Sequence, residues 1–114
     1  LSYPEPKTKK IKPIRQHTIT IHQRENRFAL RQRHERFLHG LWGFDQRDSN
    51  STGKFLGHIT QHYSHFTLEA DVYLSFESFD NEEFEWFEDG EIEKLSLSRA
   101  DHKAVALLRY NDKK

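Results

Sequence analysis

The chain has 114 residues, enough for one compact domain and too few for two ordinary ones. It carries 18 Lys and Arg against 18 Asp and Glu, and its nine Phe, four Tyr and two Trp supply large groups to bury, which excludes wholesale disorder. No apolar run is long enough to span a membrane and no signal-peptide pattern opens the chain, while the absence of Cys excludes disulfides, thiolate zinc sites, iron–sulfur ligation and a Cys nucleophile within it.

Leu1 to Arg15 reads as a connector. It holds Pro4, Pro6 and Pro13 and the basic residues Lys7, Lys9, Lys10, Lys12 and Arg15. The prolines forbid a helix and disfavour a central strand, as expected of a piece that follows an interdomain connection. Residues 16–114 then form the domain. Thr18 to His22 alternates, with Ile19 and Ile21 on one side. Gln23 to Asn26 is a polar turn in which Asn26 suits a left-handed conformation, and Phe28 and Leu30 resume the alternation. The spacing predicts a β-hairpin. After a basic, loop-like stretch from Arg33, Leu41-Trp42-Gly43-Phe44 reads as a short apolar strand. Asp45 to Lys54 has no apolar residue and reads as a loop.

A strand is predicted over about Phe55 to Thr60, and a connecting loop over Gln61-His62-Tyr63-Ser64-His65. Phe66, Leu68, Ala70, Val72, Leu74 and Phe76 share one parity, the pattern of a half-buried strand. A further short strand runs through Phe84 and Trp86. The C-terminus is helical: Ser98 is a good N-cap, Asp101 suits the first turn, and Ala104, Val105, Leu107 and Leu108 form an apolar stripe. Ile92 and Leu95 fit a short preceding helical turn.

The zero net charge conceals an asymmetry. Residues 1–54 hold 12 basic and 5 acidic side chains, net +7, and residues 55–114 hold 6 and 13, net −7. Such polarity marks a partner of one sign on one side, or two halves that neutralise each other. Of the eight His, His58, His62 and His65 crowd together. On a strand His58 and His62 would share a face while His65 would not, and no carboxylate stands at a familiar ligand spacing, so no metal site is assigned. The acidic run Glu82, Glu83, Glu85, Glu88, Asp89, Glu91 and Glu93 reads as a solvated loop or edge strand rather than a cation cage.

A hairpin followed by an apolar GLWGF segment and a polar loop is reminiscent of Nudix hydrolases. Their chemistry needs a Glu-rich helix that holds magnesium beside a pyrophosphate. The stretch from Gly40 to Gln61 contains no Glu. There is also no Gly-rich phosphate loop and no G-x-S-x-G. The frame is therefore Nudix-like, and the catalysis is argued against by missing ligands.

Four stretches resemble, in order, the C-terminal domain of MutY-type adenine DNA glycosylases, a Nudix-like module without hydrolase activity. Phe28-Ala29-Leu30-Arg31-Gln32-Arg33 looks like that domain's second strand, and Gly40-Leu41-Trp42-Gly43-Phe44 is similar to its GLWEF segment. His62-Tyr63-Ser64-His65-Phe66 resembles the loop usually read as phenylalanine-serine-histidine, and Leu97-Ser98-Arg99-Ala100-Asp101-His102-Lys103 resembles its closing ALSKADRK segment. The resemblance covers nearly the whole chain. Gly43 stands where the family usually has Glu, Asp45 where Pro is common, and Tyr63 where Phe is usual. The loop Asp45–Lys54 is too short for the helix often inserted there.

The resemblance implies an α+β, Nudix-like mixed β-sheet with a C-terminal helix and the first Nudix helix reduced or absent. It implies a non-catalytic part of a base-excision-repair enzyme, reading 8-oxoguanine opposite a mispaired adenine in duplex DNA. The parent's N-terminal catalytic domain would flip and excise the adenine and carry a 4Fe-4S cluster; this chain would hold no cofactor and no metal. Its partners would be lesion-containing duplex DNA and that N-terminal domain, with no membrane, in a bacterial cytoplasm. The implied lesion-binding residues are Tyr63, Ser64 and His65. Lys9, Lys10 and Lys12 are candidate phosphate contacts. Read from spacing alone, Ser64 caps its own turn. Two other readings stay open: a nucleotide pyrophosphohydrolase using the glutamates after Phe79, and a protein-interaction module whose acidic half meets a basic partner.

Overall fold

A computed structural model describes residues 12–34, 40–47 and 53–112. Seven strands, β1 (Ile14–Arg24), β2 (Arg27–Gln32), β3 (Trp42–Gly43), β4 (Asp45–Arg47), β5 (Lys54–His62), β6 (Thr67–Ser75) and β7 (Glu85–Glu88), form one mixed sheet, joined by helices α1 (Asp89–Ile92) and α2 (Arg99–Asp112). The spatial order is β3-β2-β1-β6-β5, with β4 pairing with β1 and β7 with β2.

The centre is the parallel pair β1/β6, in register from Ile14 opposite Thr67 to His22 opposite Ser75. The predicted alternation sets this pairing: Ile19 and Ile21 meet Val72 and Leu74 on one face, and all four are buried. Strand β1 begins at Ile14, directly after Pro13, so Ile14 and Arg15 belong to the sheet and not to the connector. Proline ends its effect on the ladder as soon as it has passed.

The hairpin forms as predicted, with Arg24 opposite Arg27 and only Glu25 and Asn26 between them. The left-handed residue is Glu25, at φ 57°, and not Asn26. A two-residue turn needs positive φ at its first position to match the strand twist, and the register, set by Phe28 and Leu30 in the core, puts Glu25 there. The like-charged flanking arginines diverge: Arg24 lies over the Trp86 ring at 4.4 Å, and Arg27 is 3.7 Å from Glu88.

Asp45 to Arg47, expected to be loop, is strand β4, with Thr20 opposite Asp45. Its lack of apolar residues hid it, because its side chains make ion pairs and hydrogen bonds instead of entering the core. Gln61 and His62 likewise extend β5 rather than its loop, and Phe76, expected in the buried register, is exposed beyond the end of β6.

Helix α2 packs on β5 and β6 through Ala104, Val105, Leu107 and Leu108. Gly57, beside a bulge in β5, allows this approach: a Cβ there would stand 2.9 Å from Leu107 Cδ2. The helix also blunts the free edge of the sheet. Lys103 Nζ donates to the Thr60 carbonyl and Asn111 Nδ2 to the Leu56 carbonyl at 3.2 Å. The two helix positions lie eight residues apart, roughly 12 Å. The two carbonyls lie four strand residues apart, roughly 13 Å, so one helix face matches one strand edge and occupies acceptors that a foreign strand would use.

Candidate lesion-binding loop

Three of the four stretches that carry the family resemblance converge on one buried carboxylate. Asp101, with no exposed surface, accepts from Arg33 Nη2 at 2.9 Å and from Arg33 Nε at 3.2 Å. It also accepts from the Phe44 amide at 3.1 Å and from the Ser98 hydroxyl. Arg33 ends the FALRQR stretch, Phe44 ends GLWGF, and Ser98 and Asp101 belong to LSRADHK. A buried ion pair is costly to break because either partner alone is an uncompensated charge. Here the charges are further satisfied: Arg33 Nη2 donates to Gln46 Oε1 at 3.1 Å, and Gln46 Nε2 lies 2.7 Å from His17 Nδ1.

Gly43 has its reason here. A Cβ at that position would collide with both the Arg33 guanidinium and the Asp101 carboxylate. The residue that departs from GLWEF is the one that leaves room for the buried arginine. The same segment is tied to the approach to α2: Trp42 N donates to the Ser96 carbonyl at 2.8 Å and Ser98 N to the Trp42 carbonyl at 3.3 Å.

The fourth stretch is the loop between β5 and β6, closed by Tyr63 N donating to the Phe66 carbonyl at 2.9 Å. The Tyr63 ring is half-buried against Phe66, centroids 4.9 Å apart. Burial pushes the phenol above its usual 10, reinforced by the Asp101 charge. Ser64 and His65 are exposed at the tip. The structure thus brings Tyr63, Ser64 and His65 together but gives them different surroundings, with the tyrosine turned inward.

Of the candidate phosphate contacts, Lys12 is exposed beside the loop, donating from Nζ to the Tyr63 carbonyl at 2.8 Å; Lys9 and Lys10 lie outside the described residues. Sequence reasoning missed Arg15, whose guanidinium lies over Phe66 at 4.3 Å, because it was assigned to the connector. His62, Arg99, His102 and Lys103 are also exposed near this end. Across residues 12–16, 58–68 and 96–103 the one carboxylate is the buried Asp101. The acidic segment from Glu77 to Glu93 starts beyond the other end of β6, a strand roughly 27 Å long. The acidic run and the loop between β5 and β6 therefore lie at opposite ends of the sheet.

The Nudix cation site does not fit these residues. Strand β4 ends at Arg47 and β5 begins at Lys54, too few positions for the helix that carries the ligands, and none of them is Glu. The Asp45 carboxylate is already engaged, 2.9 Å from His22 Nε2 and 2.9 Å from Arg47 Nε. Burial pushes its pKa up, and the His22 and Arg47 contacts together outweigh that and hold it below the usual carboxylate value. Of the crowded histidines, His58 pairs with Asp71 at 2.8 Å and Glu69 at 3.3 Å, and His62 Nδ1 meets Thr67 Oγ1 at 3.2 Å. Among the described residues no group of three or more His, Asp or Glu is placed to hold a metal ion, and no helix is long and apolar enough to cross a membrane.

No family model and no curated protein matches the sequence. Solved structures do match the fold. A MutT Nudix hydrolase from Burkholderia pseudomallei superposes with a TM-score of 0.69 at 15% identity, over 84% of this chain and 98% of that one. The Nudix domain of Shewanella oneidensis NrtR, solved with ADP ribose, gives 0.67 at 12% identity, over 95% and 93%. The C-terminal domain of mouse MUTYH, solved in complex with human PCNA, gives 0.65 at 12% identity, over 87% and 90%. Identities this low establish architecture alone: the chain has a Nudix-like fold, a mixed sheet with a long C-terminal helix.

Proposed function

We propose that this chain is the lesion-reading domain of a MutY-type adenine DNA glycosylase, which recognises 8-oxoguanine opposite a mispaired adenine in duplex DNA. The observation that carries the reading is the convergence of three of the four family-like stretches on Asp101, with the fourth exposing Ser64 and His65 near Lys12 and Arg15. The Nudix-like fold, shared with the MUTYH C-terminal domain, supports it. The glycosidic-bond chemistry would belong to an N-terminal domain of the parent protein.

Oxidation of guanine adds an oxygen at carbon 8 and converts the nitrogen-7 acceptor into an N–H donor. The Ser64 hydroxyl accepts from that N–H. With guanine, nitrogen 7 has no proton to give, and the hydroxyl must rotate or lose its partner. His65 and Arg15 flank the tip and face phosphate, whose contacts position the protein without reading sequence. Tyr63, half-buried against Phe66, stands beside Ser64 at the base of the tip. A nucleotide pyrophosphohydrolase is disfavoured by the missing cation ligands.

The test is a ratio. Binding of the chain to duplexes carrying 8-oxoguanine and guanine opposite adenine is compared for the wild type and Ser64→Ala. One hydrogen bond gained, or one buried partner lost, is worth roughly 1–3 kcal/mol, or about 5- to 150-fold, and the substitution should compress the preference by that order with the circular dichroism spectrum unchanged. Affinity should fall steeply with salt. An unchanged ratio removes Ser64 from the site.

A further inference from the structure

At the end of the sheet away from the lesion loop, the last turns of α2, the β1–β2 hairpin, α1 and the start of β5 surround a cavity of about 350 Å³, a size that takes a small organic ligand. Its inner wall is apolar. Phe28, Leu56 and Leu74 come from the sheet and are buried, and Leu108 comes from α2. Phe76 stands at the rim with 66% of its surface exposed, so the fold alone leaves most of this ring in water. The wall is braced: Asn111 Nδ2 donates to the Leu56 carbonyl at 3.2 Å and to the Leu107 carbonyl at 2.9 Å, which ties the end of α2 to β5 beside the cavity.

Charge decides what such a cavity takes. Three charged residues line it, Lys54, Arg109 and Asp89. Arg109 Nη2 lies 3.0 Å from Asp89 Oδ1 and 3.3 Å from Glu93 Oε2, so its charge is answered within the fold. The exposed Lys54 side chain has no ion pair or hydrogen bond among the described residues. One positive charge is therefore left over beside an apolar wall. A cationic ligand would meet that charge without compensation. A phosphate dianion would bring one negative charge too many to a mouth that borders the acidic run of α1. A carboxylate matches it one for one.

We propose that this cavity binds a small amphipathic carboxylate, its apolar body against Phe28, Leu56, Leu74 and Leu108 beneath the Phe76 ring and its carboxylate at Lys54. The site lies at the opposite end of α2 from Ser98 and Asp101 and does not depend on the lesion-reader assignment.

Three probes of equal length and different charge test it: octanoate, 1-octanol and octylammonium, each titrated into the methyl-labelled chain at neutral pH. Octanoate should shift the methyl resonances of Leu56, Leu74 and Leu108 and saturate at the lowest concentration, with octanol next and octylammonium last. Lys54→Met should weaken octanoate by about 2- to 5-fold, the worth of one exposed ion pair, and leave octanol unchanged. Phe76→Ala should weaken octanoate and octanol alike, with the thermal midpoint unchanged because that ring is exposed. Absence of shifts at the three leucines overturns the proposal. So do equal affinities for octanoate and octylammonium, an octanoate affinity that ignores Lys54→Met, or equally strong shifts at exposed apolar residues elsewhere, such as Ile14 and Phe55.

Discussion

The two ends of the sheet are built by different physics. At the loop end, polar groups are buried and satisfied: Arg33, Asp101 and Ser98 have almost no exposed surface and bond to one another and to Phe44 and Gln46. At the acidic end, the segment after β6 is held by rings. Phe79 stacks on His22 with centroids 3.6 Å apart and an interplanar angle of 8°, and Phe84 meets Phe79 edge-on at 5.0 Å. Ring contacts tolerate small shifts; a buried bidentate ion pair does not. The loop end holds the fully buried Arg33–Asp101 pair, and the acidic run Glu77 to Glu93 lies toward the other end.

The sharpest way to break this contrast is Asp101→Ala. It leaves the Arg33 guanidinium buried without its counterion and should cost about 3–5 kcal/mol, read as a large fall in the urea midpoint. A cost comparable to that of a surface substitution would show that water reaches Arg33. Next is Gly43→Ala, where the added methyl enters the Arg33–Asp101 contact; overpacking of this kind costs roughly 1–3 kcal/mol. A Gly43→Ala cost that shrinks when measured in the Arg33→Met background, in a double-mutant cycle, would show that the guanidinium is the obstacle. At the other end, Phe79→Ala removes the stack on His22 and the edge contact with Phe84. It should loosen residues 76–84 in hydrogen exchange while leaving the exchange of α2 unchanged.

The smallest effects come from titration. Asp45 has its folded pKa depressed below 3.8, burial being outweighed by His22 and Arg47. A depressed carboxyl contributes stability that is present above the unfolded pKa and is lost as pH falls through the folded value, so its share disappears below pH 3.8. Asp45→Asn should flatten the acid limb of the stability profile. His58 has its pKa raised above 6.5, chiefly by its hydrogen bond to Asp71. A raised imidazole stabilises below the unfolded pKa and loses that contribution as pH rises through the folded one. This group is exposed, so only a slight loss above pH 6.5 is expected.

What was legible in the sequence follows the same division. The period-two alternation of Phe66 to Leu74 and the Ser98 cap name their elements unaided, because apolar burial and capping leave local signatures. Strand β4 was illegible: Asp45, Gln46 and Arg47 contribute ion pairs and hydrogen bonds across β1 and to Arg33, and nothing local marks them as strand. The convergence on Asp101 was equally hidden, since Arg33 and Asp101 are separated by 68 positions. The four stretches could be lined up with a family pattern, but only the fold shows that three of them meet at Asp101. Gly43 was visible as a departure, and its cause required the coordinates of the guanidinium.

The central claim places the ligand at one end of the sheet. Titrating isotope-labelled chain with a short duplex containing 8-oxoguanine opposite adenine, and following its amide resonances, tests this most directly. The account predicts shifts concentrated at Lys12, Arg15, Ser64, His65 and the first turn of α2, larger with the lesion than with guanine, and none from Glu77 to Glu93. Shifts centred on the acidic segment, or the same shifts with both duplexes, would contradict it.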